Sequence, residues 1–202
     1  LPNLEKARQL IRPNDFILCA DGGTRHAVAL ELTPNIVLGD LDSISDEERI
    51  KMKESGVEVI QYSADKNETD LELAINHALT LNPEKILILA ALGGRMDQTL
   101  ANISLLSNSL LASHNIKLTD GVEELFFCRD QAKVIGRSGD IVSLIPWQGE
   151  VTGVFTENLR WHLHHETLYP NKTRGISNEM TSDTATVSIT SGLLLITHIT
   201  GN

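Results

Sequence analysis

Over the first 120 residues, short apolar runs alternate with amphipathic stretches. Residues 16–20, 36–38, 57–60, 86–90 and 116–118 read as strands. Most are continuously apolar, as strands buried on both faces must be. Between them lie helical patterns. Leu71, Ala74, Ile75, Ala78 and Leu79 form an i, i+3, i+4, i+7, i+8 stripe. Thr69 with Glu72, and Ser45 with Glu48, have the spacing of capping boxes. A further helix is expected from Asp97 through Leu110. This alternation predicts an α/β fold built on a doubly wound, Rossmann-like parallel sheet.

The pattern changes near residue 121. Helical stripes vanish, and short runs at 125–128, 132–135, 141–145, 151–155, 159–163, 184–189 and 193–197 alternate with glycines. Strand runs this closely spaced predict an antiparallel β-sandwich of about 80 residues. Two domains are therefore expected, 1–120 and 121–202, joined at Thr119-Asp120-Gly121. The chain opens on a helix-like stretch with no strand before it.

Charge narrows the range of partners. Seventeen basic and 27 acidic side chains leave a net charge of −10. Such a surface repels nucleic acid and anionic membranes, so neither is an expected partner. Divalent cations can still bring nucleotides to it, by standing between carboxylates and phosphates. No apolar run approaches the roughly 20 residues of a membrane span. The two cysteines, Cys19 and Cys128, lie in apolar contexts, which suits a reduced, cytoplasmic protein.

In an open parallel sheet, ligands bind beyond the carboxyl ends of the strands. Four such exits each carry an aspartate: Asp21-Gly22-Gly23, Gly39-Asp40-Leu41-Asp42-Ser43, Asp65-Lys66-Asn67-Glu68-Thr69-Asp70, and Gly93-Gly94-Arg95-Met96-Asp97-Gln98. Asp40 and Asp42, at i, i+2 on an extended segment, point to one side and can share a hard cation. Asp70 can add a third ligand. The paired glycines, each ahead of a helix, let phosphate approach backbone N–H groups. Lys66 and Arg95 can neutralise charge on a transferring group.

Loop and capping preferences alone explain Asp46 and Asp120, but not four aspartates at one sheet edge. No Walker loop and no Gly-x-Gly-x-x-Gly occurs. His162, His164 and His165 read as exposed polar alternation on a strand rather than as metal ligands. Cys19 reads as core, and Ser138 and Ser143 lack a His/Asp partner for hydrolase chemistry.

In order, spacing and context, the four exit motifs, continuing to Leu100-Ala101-Asn102, resemble the thiamine pyrophosphokinase family over roughly residues 15–105. Ser138-Gly139-Asp140 to Pro146, Leu159 to Leu163, and Gly175-Ile176-Ser177-Asn178 resemble that family's thiamine-binding β domain more loosely. The resemblance implies transfer of pyrophosphate from ATP to the thiamine hydroxyl, with AMP released. It implies Mg²⁺ held at Asp40, Asp42 and Asp70, with catalytic roles for Asp42, Asp70, Lys66 and Arg95. ATP would lie against Asp21, Gly22, Gly23, Asp40, Thr69, Gly94, Arg95, Asp97 and Gln98. Thiamine would meet Ser177 and Asn178, and a homodimer would carry its sites at the subunit interface.

Two features depart from the family. Its first strand and Gly-rich loop have no counterpart here, and Ile196 stands where some members have an aromatic. Met180 is then a candidate to cover the thiamine rings. Two other readings compete with this one: a metal-dependent phosphoesterase, and a thiamine or nucleotide sensor without turnover.

Overall fold

A computed structural model describes residues 1–42 and 44–201. Ser43, the last residue of the Gly39–Ser43 motif, lies outside the described residues, as does the side chain of Asp46. The chain opens with α1 (Leu4–Gln9), followed by β1 (Leu18–Ala20), α2 (Gly23–Ala29), β2 (Ile36–Gly39) and α3 (Asp46–Glu54). Next come β3 (Glu58–Gln61), α4 (Asp70–Thr80), β4 (Lys85–Leu89), α5 (Met96–Leu106) and β5 (Asn115–Thr119). Seven strands then follow: β6 (Glu123–Cys128), β7 (Gln131–Ile135), β8 (Ile141–Glu157), β9 (His164–Leu168), β10 (Asn178–Glu179), β11 (Thr184–Ser188) and β12 (Ser191–Ile199).

The parallel strands fall into two groups. β1, β2 and β3 form a three-stranded parallel sheet in that order, with β2 buried along its whole length. β4 pairs parallel with β5, whose other edge takes β6 antiparallel through Leu118↔Leu125 and Thr119↔Glu124. β5 thus joins the α/β half to the antiparallel strands in one mixed sheet ordered β4-β5-β6-β12-β8-β11-β7. The two layers expected of a sandwich are two ends of this one curled sheet. Its interior holds Leu144, Val154, Leu168, Val187, Leu194 and others. A second apolar cluster runs from Ile75 on α4 and Ile103 on α5 to Leu125 on β6 and Leu195 on β12, so the halves share a core. The Asp120-Gly121 joint is packed as well: a Cβ on Gly121 would lie 2.7 Å from the Ala7 backbone nitrogen of α1.

Several local expectations change. The capping box at Ser45 and Glu48 forms completely, whereas at Thr69 only the Glu72 N–H donates to the threonine hydroxyl. The helix expected through Leu110 ends at Leu106. Asn108 then caps a separate turn of 3-10 helix, Ser109–Leu111, because its side chain competes for the backbone donors. The runs at 141–145 and 151–155 are one strand, β8, bent at Gln148 and Gly149 where φ turns positive. Both halves of β8 pair with β12, so the chain continues instead of reversing. Residues 159–163 form only a single bridge, Leu159↔Met180, and the strand lies just beyond them at β9. His162, His164 and His165 are exposed; His165 stacks on Phe155, and His162 lies against His164. Cys19 and Cys128 are free thiols in the core, each pushed by burial to a pKa of about 11. Among the described residues no helix is long and apolar enough to cross a membrane.

A buried polar chain ties the curled sheet to β5. Lys117 pairs with Glu124 at 2.7 Å, and His198 stands 3.6 Å from Glu124. His198 Nε2 lies 2.9 Å from Asp140, which also accepts the N–H groups of Arg137 and Gly201. Burial alone would depress the His198 pKa, but Glu124 and Asp140 outweigh it and hold the imidazole above its usual value. Burial opposes ionisation of Asp140, yet its hydrogen bonds hold the carboxyl below the usual range. A raised histidine pKa stabilises the fold fully below the unfolded value and loses that contribution as pH rises through the folded one. A depressed carboxylate contributes above its unfolded value and loses this as pH falls. The network is therefore strongest at mildly acidic pH. Denaturant melts of wild type and His198→Gln should differ by about 1.5–3 kcal/mol near pH 5.5, and the gap should narrow as pH rises. A gap that widens with pH would contradict this account.

Candidate active site

Three strand exits meet at one place. β1 ends in Asp21, β2 in Gly39-Asp40, and the loop after β3 runs through Lys66 to Asp70 in the first turn of α4. Carboxylate oxygens of Asp21, Asp40 and Asp70 lie within 4.8 Å of one another, all half-buried. Lys66 Nζ stands 2.9 Å from Asp70 Oδ1 and 3.8 Å from Asp40 Oδ2. Its pairing with Asp70, against some desolvation, holds the ammonium above its usual pKa.

The close approach depends on Gly39. Its φ is +146°, and a Cβ there would fall 3.0 Å from Asp21 Cβ and 3.1 Å from Asp70 Oδ1. Any side chain would occupy the space across which the two aspartates meet. The backbone around the cluster is strained in the same sense: Asp21 has φ +38° and Leu41 +61°, both left-handed for non-glycine residues. Leu41 is buried in the α/β core, and Arg49 of α3 donates to the carbonyls of Leu41 and Ile44. The Asp42 N–H donates to Asp40 Oδ1 at 3.2 Å. The Asp42 carboxylate itself is exposed and stands outside the three-aspartate group, although the i, i+2 spacing paired it with Asp40. Asp21, read from sequence only as a nucleotide contact, takes the third position.

The donor set suits a small hard cation. Three oxygen donors on half-buried loops match what Mg²⁺ takes from protein, with phosphate oxygens and water completing its shell.

The fourth exit, after β4, is organised separately. Ala90 has φ +62°, and Gly93 and Gly94 have φ +82° and +71°, with open space where each Cβ would be. Thr99 and Asn102 on α5 hold this turn by donating to the carbonyls of Gly93 and Ala91. Arg95, Asp97 and Gln98 are exposed and carry no packing role. Arg95 forms a bidentate pair with Asp97, which keeps that carboxyl below its usual range. At the first exit, Gly23 has room for a Cβ, its nearest neighbour being Cys19 Cβ at 4.0 Å. Among the described residues, nothing requires a glycine there. Thr69 serves as the N-cap of α4.

In the β half, a cleft of about 300 Å³ is lined by Trp161, Leu163, Arg174, Ile176, Ser177 and Asn178. Ser177 is exposed at φ +58°, and its N–H donates to Ser143. The Asn178 amide is buried and spent on Trp161: Oδ1 accepts the Trp161 N–H, and Nδ2 donates to the Trp161 carbonyl. Asn178 thus fixes the wall of the cleft. Ile196 and Met180 are both fully buried in the curled-sheet core, so neither can cover a bound ring; the exposed aromatic beside Ser177 is Trp161. Gly39 and Trp161 are the candidate site residues that sequence reasoning did not single out. An exposed tryptophan in a chain with 4% aromatics was the available signal for the second.

Gly39→Ala should push Asp21 and Asp70 apart and weaken Mn²⁺ binding, read by calorimetry, by about 10–100-fold. The melting temperature should fall as well, because alanine is strained at φ +146°, and the loss of Mn²⁺ affinity is read at a temperature where the variant is folded. An unchanged isotherm would remove Gly39 from the assembly of the site.

Comparison with known proteins identifies both halves of the chain. The profile "Thiamin pyrophosphokinase, catalytic domain" matches residues 7–119, and "Thiamin pyrophosphokinase, vitamin B1 binding domain" matches residues 129–194. Thiamine pyrophosphokinase of Bacillus subtilis (strain 168) is 28% identical over 182 residues, covering 89% of this chain and 85% of its own. Thiamine pyrophosphokinase 1 of Oryza sativa subsp. japonica is 27% identical over 206 residues, covering 88% and 76%. The crystal structure of the Bacillus subtilis protein superposes with a TM-score of 0.86 at 25% identity, over 98% of this chain and 93% of that one. With both halves matched in order, and the first profile alone covering more than half its length, the chain belongs to the thiamine pyrophosphokinase family.

Proposed function

We propose that this protein is an ATP-dependent thiamine diphosphokinase. The thiamine hydroxyl oxygen forms a bond to the β-phosphorus of ATP, the bond from that phosphorus to the α,β-bridging oxygen breaks, and AMP leaves with the bridging oxygen. The observation that carries the reading is the Asp21–Asp40–Asp70 cluster with Lys66 against it, in a chain whose family performs this transfer.

Asp40 and Asp70, with Asp21, are the residues that would hold Mg²⁺, which supplies charge neutralisation on the transferring phosphates. Asp42 stands at the exposed edge of the same loop and extends the acidic surface toward incoming substrates. Lys66 and Arg95 are the cations for phosphate oxygens, each now paired with an aspartate it must release. Gly22-Gly23 and Gly94, with Thr69, Asp97 and Gln98, form the nucleotide surface. Ser177 borders the thiamine cleft, and Asn178 acts there by holding Trp161. Phosphoryl chemistry of this type asks the protein for positioning and electrostatics rather than covalent catalysis.

The phosphoesterase reading loses ground because no histidine joins the carboxylate group among the described residues. A sensor has no need to force three carboxylates together across Gly39. Residues 1–120 handle phosphate and 121–202 recognise thiamine, as two lobes on a shared core. The reduced buried cysteines suit the cytoplasm.

Incubation with ATP, Mg²⁺ and thiamine should yield thiamine diphosphate and AMP in equal amounts. Free phosphate would favour the esterase, and unaltered reactants the sensor. Asp70→Asn should lower turnover on the order of 10³-fold with the fold intact by circular dichroism, and Asp42→Asn, at the exposed edge of the same loop, should lower it by a smaller factor. Near-normal activity in either variant at saturating Mg²⁺ would refute that residue's role.

The active protein is proposed to be a homodimer in which Ser177 of one subunit meets the Asp40–Asp70 loops of the other. Each half exposes an unfinished site, and two-fold symmetry would complete two equivalent ones. Mixing inactive Asp70→Asn and Ser177→Tyr subunits should then restore about a quarter of wild-type activity, one intact site in each heterodimer. No recovery despite demonstrated subunit exchange would place each site within one chain.

A further inference from the structure

We propose that Lys66 is a built-in counter-ion of the carboxylate cluster that competes with the divalent cation for Asp40 and Asp70 until a nucleotide draws it away. This rests on the diphosphokinase reading and adds to it a coupling between nucleotide and metal.

Lys66 is placed unlike a surface partner. Its side chain is 13% exposed, less than Asp40 at 23% or Asp70 at 26%. An ordinary ion pair at a loop tip leaves the ammonium in water, where the pair is worth little. Here the ammonium is turned inward onto two of the three converging carboxylates, at 2.9 Å and 3.8 Å. Those oxygens are the donors a divalent cation needs. An ammonium and a dication cannot both bind them at full strength, because the like charges would stand within a few ångströms.

Lysine suits an exchange of this kind. Its charge sits on a flexible four-carbon stem and can swing without a backbone change. A polyphosphate entering beside the cluster offers the ammonium a stronger anionic partner. Once Lys66 moves to it, the aspartates face the cation unscreened, and the cation and phosphates then support each other. Nucleotide should therefore tighten metal binding, and metal should tighten nucleotide binding by the same factor. The arrangement offsets part of the charge of three converging carboxylates without committing them to a metal before substrate arrives.

The test is Mn²⁺ binding without nucleotide, followed by electron paramagnetic resonance, for wild type, Lys66→Arg and Lys66→Met. Lys66→Met should bind Mn²⁺ at least about tenfold more tightly than wild type, because the competing positive charge is gone. Lys66→Arg, which keeps that charge, should stay close to wild type. Addition of a non-hydrolysable ATP analogue should tighten Mn²⁺ binding strongly in wild type and much less in Lys66→Met. In EDTA, Lys66→Met should melt below wild type and recover on Mn²⁺ addition. If it does not accumulate folded, Lys66→Gln must show the same tightening. Mn²⁺ affinity in the neutral variants that equals or falls below wild type overturns the inference. Wild-type synthesis of thiamine diphosphate, measured alongside, separates the two levels. Synthesis without tightening removes only the counter-ion, while tightening without synthesis keeps the counter-ion and removes the diphosphokinase reading.

Discussion

Three aspartates whose oxygens lie within 4.8 Å of one another repel unless a cation stands against them. The α/β half is arranged around that repulsion. Gly39 removes the side chain that would hold Asp21 and Asp70 apart. Leu41 accepts a left-handed backbone so that Asp40 can turn toward the others while its own side chain enters the core, and Arg49 holds the carbonyls of the turn. Lys66 provides the counter-charge. Each of these choices costs something locally, in backbone strain or in a buried charge, and the surrounding sheet and helices sustain them.

The two halves of the chain are not independent either. β5 is parallel to β4 along one edge and antiparallel to β6 along the other, and the apolar cluster beneath it includes α4, α5 and β12. The Lys117–Glu124–His198–Asp140 chain adds a polar link across the same seam. Helix α4, which carries Asp70, thereby packs on the same apolar cluster as β6 and β12, whereas β1, β2 and β3, which lead to the other two aspartates, form a sheet of their own.

The cleft beside Ser177 shows how a buried amide can act at a distance. Asn178 is consumed by the backbone of Trp161, so its contribution is the position of an aromatic wall. Arg95 and Asp97 pose the opposite case, an exposed ion pair at the start of α5.

Much of this was legible in the chain itself. Continuous apolar runs and the α4 stripe marked buried parallel strands and their covering helices, because burial on two faces leaves no alternation to read. The change of pattern at residue 121 marked the antiparallel half, and the aspartates at the strand exits marked the site, because loops at that edge have no packing reason to be acidic. Tertiary structure decided what depends on distant partners. Whether 141–157 is a hairpin or one bent strand rests on β12, which pairs with both of its halves. Asp21 rather than Asp42 joins Asp40 and Asp70 because strand order sets β1 beside β2, and a left-handed Leu41 breaks the i, i+2 alternation that would align the neighbours. Met180 and Ile196 were claimed by the core and Trp161 by the cleft through sheet curvature, which no local pattern encodes. Periodicity reports which faces are buried; only the folded chain specifies against what.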